Sequence, residues 1–431
     1  MIPRYDVKEI SDIWSDKNKF ETWLKVEVAA SEAWHHEGIV PKDDIDKIKK
    51  NATVDAEKVI EYINITHHDV TAFIRNVNES LGDEQRWIHY GLTSQDVWDT
   101  STNLQIIEAI SFLEAQIVNL KDTIYKLAVT HKMTPCIGRT HGIHAEPTTF
   151  GLKLLVWVEA LNRQLERMQL AKKQISVGQF SGPVGTHATV PPSVEQKACE
   201  LLGLDVAKVT TQVIQRDRHA FVLEVIANIG SSLETFATEL RHLQRTEVRE
   251  IQEPFAKGQT GSSSMPHKRN PELCERVTGL ARVLRGYANT GLENVALWHE
   301  RDISHSGAER IILPDSTGLL AYMLEIFTNV MKDLIVFPEQ MQKNINHTKG
   351  LIFSSKVMLI LVEKGLSREE AYNIVQSYSA QVIDQEKNFR DLLDSDSNIT
   401  NLVTNEELDN IFDIQQYLIH IEETFNRIKK S

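Results

Sequence analysis

The stretch Gly258-Gln-Thr-Gly-Ser-Ser-Ser-Met-Pro-His-Lys-Arg-Asn-Pro271 joins three consecutive hydroxyls (Ser262, Ser263, Ser264) to a cationic tip (Lys268, Arg269) and an amide (Asn270). Two prolines bracket that tip. Such a segment can move over a ligand, present an alcohol as a proton acceptor, and hold carboxylate or phosphate while it does so. A plain surface loop needs none of this.

The histidines gather in small polar clusters. These are Thr66-His-His-Asp69, His89-Tyr-Gly-Leu-Thr-Ser-Gln-Asp96, Arg139-Thr-His-Gly-Ile-His-Ala-Glu146 and Trp298-His-Glu-Arg-Asp-Ile-Ser-His-Ser306. Each has a bland alternative. A histidine beside a carboxylate can be a structural hydrogen bond, Thr93-Ser94 can be a helix N-cap, and Arg139 can pair with an acidic neighbour. Their coincidence at the ends of long helices, where side chains and free backbone N–H groups converge, favours a site. Lys268, Arg269, Arg276, Arg301 and Arg310 add cations, and the arginine fork suits carboxylate and phosphate. A metal centre is disfavoured. His299-Glu300 is followed by a histidine only at His305, too late for the zincin spacing, and no cysteine helps. Gly178 to Gly185 fits neither the dinucleotide fingerprint nor the P-loop, and reads as a turn after a helix.

Long helices must position these groups. Apolar residues recur at alternating steps of three and four in three runs: Ile106 to Leu127, Leu154 to Met168, and Val222 to Leu243. That is the helix-bundle period. The third run lies in a proline-free stretch from about Arg216 to Glu253, long enough for roughly 55 Å of helix. Pro135, Pro147 and Pro254 are expected to mark helix boundaries. Helices of this length point to a bundle extended by copies of the chain. Residues 1–93 read as shorter helical pieces, including an amphipathic helix from Glu21 to His36. The bundle occupies 94–349. Residues 350–431 form a third helical unit, with Ser367-Arg-Glu-Glu370 as a capping box.

The 431 residues carry a net charge of −13, which speaks against a general nucleic-acid or anionic-membrane surface. Three scattered cysteines imply no disulfide framework and fit a reducing cytoplasm. The opening Met1-Ile-Pro-Arg-Tyr-Asp lacks an apolar signal core, and no run of about 18 apolar residues occurs, so neither secretion nor membrane spanning is expected.

The loop from Gly261 to Pro271 closely resembles the signature of the fumarase/aspartase superfamily, and the blocks His89 to Asp96 and Gly138-Arg-Thr-His-Gly142 match it too. Arg4-Tyr5, His67-His68-Asp69, Gln212 and Arg301 to Arg310 narrow the likeness to the branch that acts on succinyl-purine nucleotides. The resemblance implies a three-domain, nearly all-α chain, assembled as a homotetramer around a central long-helix bundle, with sites shared between subunits. It implies cleavage of adenylosuccinate to AMP and fumarate, and of SAICAR to AICAR and fumarate, without a cofactor.

By the same match Ser262 is the base and His141 the acid, with Glu275 orienting His141 and His68 helping proton transfer. Ser263 is the neighbouring rival to Ser262. Lys268 and Asn270 would hold the succinyl group. Arg4, Tyr5, His89, Ser306 and Arg310 would hold the nucleotide, chiefly its phosphate, and Arg301 phosphate or ribose. His67, His68, Asp69, Thr93, Ser94 and Gln212 would line the succinyl and base pocket, and Arg276 fits a substrate contact. The rival readings are a carboxymuconate-type cycloisomerase or another lyase of the superfamily, a helical His-Asp metal phosphohydrolase, and a non-catalytic scaffold.

Overall fold

The apolar heptad positions are buried as their period requires. Ile106, Ile110, Leu113, Ile117, Leu120 and Ile124 are all fully buried, as are Leu154, Leu161, Met168, Ile229 and Leu233. They lie on helices Ser94–Thr130, Phe150–Ile175 and Asp217–Gln244, which are joined by two more long helices, Glu272–Glu293 and Ser304–Lys332. The structure, a computed structural model, describes residues 2–255 and 258–428. The chain is 68% helical, so the mostly helical expectation holds.

The Asp217 helix stops at Gln244, nine residues short of the expected end at Glu253. Arg249 takes a left-handed φ of 55°. Ile251–Gln252 then pairs as a short antiparallel strand with Ile335–Val336. No proline was needed to end the helix: the backbone found other partners. Ser15 caps Asp16–His36, and Ser367 with Glu370 forms the expected capping box on Arg368–Gln385.

Contacts divide the chain into two units. The first comprises Met1–Val118, Arg163–Glu234 and Arg276–Ile326, and the second Asn119–Asn162, Thr235–Glu275 and Phe327–Ser431. In the first unit a core of Phe20, Trp23, Phe73, Val97 and Phe180 gathers the short N-terminal helices. Two glycines there let long helices meet. A Cβ on Gly230 would lie 2.7 Å from Leu284, and one on Gly291 would lie 2.5 Å from Leu223. In the second unit Ile137, Ile345, Phe353, Val357, Phe389 and Leu408 form a separate core. Trp157 stacks on Phe236 with ring centroids 4.8 Å apart.

Two of the long helices, Asp217–Gln244 and Ser304–Lys332, are long and apolar enough to cross a membrane by composition, but 61% and 72% of their most apolar windows are buried inside the protein. That is the behaviour of core helices.

Candidate active site

A β-hairpin stands where only helix ends were expected. Pro135–Thr140 pairs antiparallel with Ile143–Thr149. The two residues between the strands, His141 and Gly142, have φ of 55° and 80°, the positive pair that a type I′ turn demands. His141 is exposed at the tip of the hairpin. The hairpin is anchored through Arg139, which grips the buried Glu250 with both guanidinium nitrogens, at 2.5 and 3.2 Å. Asn344 donates to the same carboxylate at 2.8 Å. Arg139 thus has the structural role that its neighbourhood allowed.

The hydroxyl loop, also in the second unit, is closed on itself. Asn270 Nδ2 donates to the Gly261 carbonyl at 2.9 Å. A Cβ on Gly261 would lie 2.0 Å from the Lys268 carbonyl oxygen, so only glycine fits. Gln244 Nε2 ties the loop to its helix through the Arg269 carbonyl at 3.0 Å. Ser262 Oγ accepts from the backbone N–H groups of Ser264 at 3.3 Å and Met265 at 3.1 Å. Two donors aimed at one oxygen favour its ionised form over the neutral alcohol. Ser263 is exposed, and no such donors are directed at its hydroxyl among the described residues. Lys268 is exposed near the tip. Glu253 accepts from the N–H groups of Leu273 (3.2 Å) and Cys274 (2.7 Å), which starts the helix bearing the exposed Glu275. Among the described residues no hydrogen bond joins Glu275 to His141.

The remaining site residues belong to the first unit. His68 is the N-cap of Asp69–Asn78, and its Nδ1 accepts from the Thr71 N–H at 3.3 Å. That bond keeps Nδ1 unprotonated and leaves Nε2 to carry a proton outward. His67 closes the preceding helix with φ 52°. Asp69 pairs with Arg310 at 2.7 Å, and the Arg310 guanidinium lies 4.3 Å from the Trp98 ring. His89 is gripped by the fully buried Glu27, through its backbone N–H at 2.8 Å and its Nδ1 at 2.7 Å. Burial alone would lower the pKa of His89, but the Glu27 charge and hydrogen bond outweigh it and leave it raised. A cation at this position suits a phosphate.

Thr93 and Ser94 open the longest helix, where the Asp96 carboxylate accepts from the Thr93 N–H at 2.8 Å. Burial pushes Asp96 up to about 7 despite this bond. Gln212 Oε1 accepts from Arg301 at 3.1 Å. Arg4 and Tyr5 lie in a short 3-10 turn, and the Tyr5 ring is 5.0 Å from that of Tyr322. The Tyr322 hydroxyl accepts from Arg276 at 2.6 Å. Tyr322 thus links two expected contacts, yet nothing in its sequence neighbourhood marked it. Ser306 and Arg310 line a cavity of about 270 Å³ with Trp14, Trp23, Trp98 and Glu309.

These geometries can be set beside known proteins. A family profile described as "Lyase" matches residues 4–286, and one described as "Adenylosuccinate lyase C-terminus" matches 350–428. Adenylosuccinate lyase of Bacillus subtilis strain 168 is 50% identical over 428 residues, 99% of each chain. The chain belongs to the adenylosuccinate lyase family. Among solved structures this adenylosuccinate lyase family member is similar to a fumarate lyase from Mesorhizobium sp. BNC1, with TM-score 0.90, 25% identity and 99% of each chain covered. It is also similar to the 3-carboxy-cis,cis-muconate lactonizing enzyme of Pseudomonas putida, with TM-score 0.87, 28% identity and coverage of 98% and 96%. The expected reading as a lyase of this family therefore holds.

Proposed function

We propose that this chain releases fumarate from adenylosuccinate, giving AMP, and from SAICAR, giving AICAR, in purine nucleotide synthesis. Full-length identity to an adenylosuccinate lyase supports this over the cycloisomerase reading, since likeness to the muconate enzyme is much lower. The observation that carries the chemistry is the pair of N–H groups on Ser262 Oγ.

The proton to be removed sits beside a carboxylate and is very weakly acidic. Ser262, as alkoxide, takes it from carbon. The carboxylate becomes a dianionic aci-form, for which Lys268 and loop N–H groups supply positive charge. The electron pair then forms the fumarate double bond as the C–N bond breaks. His141 gives its proton to the departing nitrogen, with Glu275 orienting the imidazole and His68 assisting the transfer. Asn270, His67, Asp69, Thr93, Ser94, Gln212 and Arg276 contact the succinyl group and base. Arg4, Tyr5, His89, Arg301, Ser306 and Arg310 hold the phosphate and ribose. No step uses a cofactor.

Copies of the chain associate as a homotetramer, and each site draws on several of them. The length of the central helices supports this: Ser94–Thr130 runs for 37 residues, more than a compact single chain needs. The three segments 1–93, 94–349 and 350–431 act as domains of one cytoplasmic enzyme. The test is a spectroscopic assay of the purified protein with both substrates. Release of fumarate from each is expected, and no absorbance change with either would overturn the reading.

A further inference from the structure

Behind Arg301 the first unit holds a set of buried charges that the proposed chemistry does not use. Arg216 is 2% exposed. Its NH1 and NH2 each donate to Asp99 at 2.7 Å, and its Nε lies 3.0 Å from a Glu309 carboxylate oxygen. NH1 also donates to the Ile214 carbonyl at 2.7 Å, while Asp99 accepts from the Ile214 N–H at 2.9 Å. This closes the turn that follows Gln212. Burying such ions is costly compared with an apolar core, and one use of the cost is to fix a geometry.

His305, 1% exposed, connects this set to Arg301. Its Nδ1 lies 3.0 Å from Glu309 Oε2, 3.2 Å from Arg216 NH2 and 3.4 Å from Arg216 Nε. Its Nε2 lies 3.4 Å from Arg301 Nε. Arginine only donates, so an unprotonated Nε2 accepts from Arg301, and the shortest Nδ1 contact, to Glu309, calls for a proton there. The proton then sits on Nδ1 and donates to Glu309. The other tautomer would satisfy Arg216 alone, and set Nδ1 against the carboxylate and Nε2–H against Arg301. A neutral His305 also leaves two guanidinium groups, Arg216 and Arg301, balanced by two carboxylates, Asp99 and Glu309. Burial would raise Glu309, but Arg216 and the His305 bond hold it down to about 2, so it remains an acceptor. His219, enclosed in the same set, is lowered to about 4 by burial and by Arg216, and adds no charge near neutrality.

We infer that His305 is a positioning residue for the lyase reaction: clamped by Glu309, and through it by the Asp99–Arg216 pair, it fixes the plane of the Arg301 guanidinium that Gln212 steadies from the other side. This rests on the reading of Arg301 as a nucleotide contact. Misaimed binding groups cost affinity before they cost chemistry. The effect is therefore expected in KM rather than in kcat.

The test compares His305→Asn, His305→Gln, Arg301→Ala and the double variant Arg301→Ala/His305→Asn in the full-length enzyme with adenylosuccinate. Asparagine keeps a donor for Glu309 but is too short to reach Arg301, whereas glutamine can place an acceptor oxygen there. His305→Asn should raise KM about tenfold with kcat within about threefold, and His305→Gln should recover most of the loss. On the Arg301→Ala background, His305→Asn should add less than about twofold, because its effect passes through Arg301. Equal behaviour of His305→Asn and His305→Gln, or a full loss persisting without Arg301, would overturn the inference. Melting temperatures separate misfolding from misaiming. Should His305→Asn fail to fold, the same comparison is made with Gln212→Ala, which removes the opposite brace and must likewise lose its effect without Arg301. Wild-type turnover, measured alongside, distinguishes failure of this inference from failure of the lyase reading, which would take both down.

Discussion

Asp69 and Arg310 lie 241 residues apart in the chain and 2.7 Å apart in space. One was expected in the base pocket and the other on the phosphate, and in the free protein they neutralise each other. Both side chains keep solvent contact, at 22% and 48% exposure, so the pair itself contributes little to stability. A phosphate can recruit Arg310 at small cost, while Trp98 keeps the guanidinium in plane. Arg310→Gln is expected to raise KM for adenylosuccinate about tenfold to a hundredfold, the loss of a charge-assisted bond, with a smaller change in kcat. Steady-state kinetics at fixed ionic strength check this. An unchanged KM would remove Arg310 from the phosphate site.

The two adjacent serines should separate cleanly. Ser262→Ala is expected to lower kcat by about a hundredfold to ten-thousandfold, the usual weight of a positioned base. Ser263→Ala should cost far less. Circular dichroism and melting temperature must stay at wild-type values for the comparison to count. A reversed ranking would move the base to Ser263.

The proposal that each site draws on several copies can be tested by complementation. Ser262→Ala and His141→Ala proteins, each inactive, are mixed under conditions of subunit exchange. If the two groups come from different chains, random reassembly leaves about one quarter of the sites with both intact. Fumarate release near that fraction is expected. No recovery after proven exchange would place both groups in one chain.

His89 links stability to pH. Its folded pKa is raised above the ordinary value of 6.5: burial alone would lower it, and Glu27 more than offsets that. The contribution is therefore complete below about 6.5 and fades as pH rises through the folded value. Urea midpoints followed from pH 6 to 9 should decline with pH in the wild type and decline less in Glu27→Gln. In the variant the alkaline rise of KM should also begin at lower pH, because the imidazole loses its proton sooner. Identical profiles in the two proteins would dissociate the Glu27 contact from the charge of His89.

Long-range helical order was legible because it is periodic: every expected apolar position from Val222 to Leu243 is buried. The capping box at Ser367 was legible because it is local. The hairpin was not. Its strands, each containing a proline, show no clean alternation, and the local cue was the two-residue His141-Gly142 turn. Among the described residues eight non-glycine positions have positive φ, and five are histidines: His67, His89, His141, His187 and His299. Clusters read as helix-end chemistry are thus also turn formers, a dual use that residue type alone does not reveal. Asp99, Arg216 and Glu309 carried no signal, since single charges on a helix normally face water and only tertiary packing decides otherwise.

The internal closure of the hydroxyl loop sets how Ser262 and Lys268 relate before any substrate arrives. Because Asn270 bridges to Gly261 and the backbone crosses itself there, part of the segment's freedom is lost already when the chain folds. The backbone carrying the Ser262 hydroxyl and that carrying Lys268 are held together by this crossing, so their spacing is set in the free protein. Wedging that crossing open with a single methyl, as in Gly261→Ala, would leave every reacting group in place chemically and yet put the two out of step.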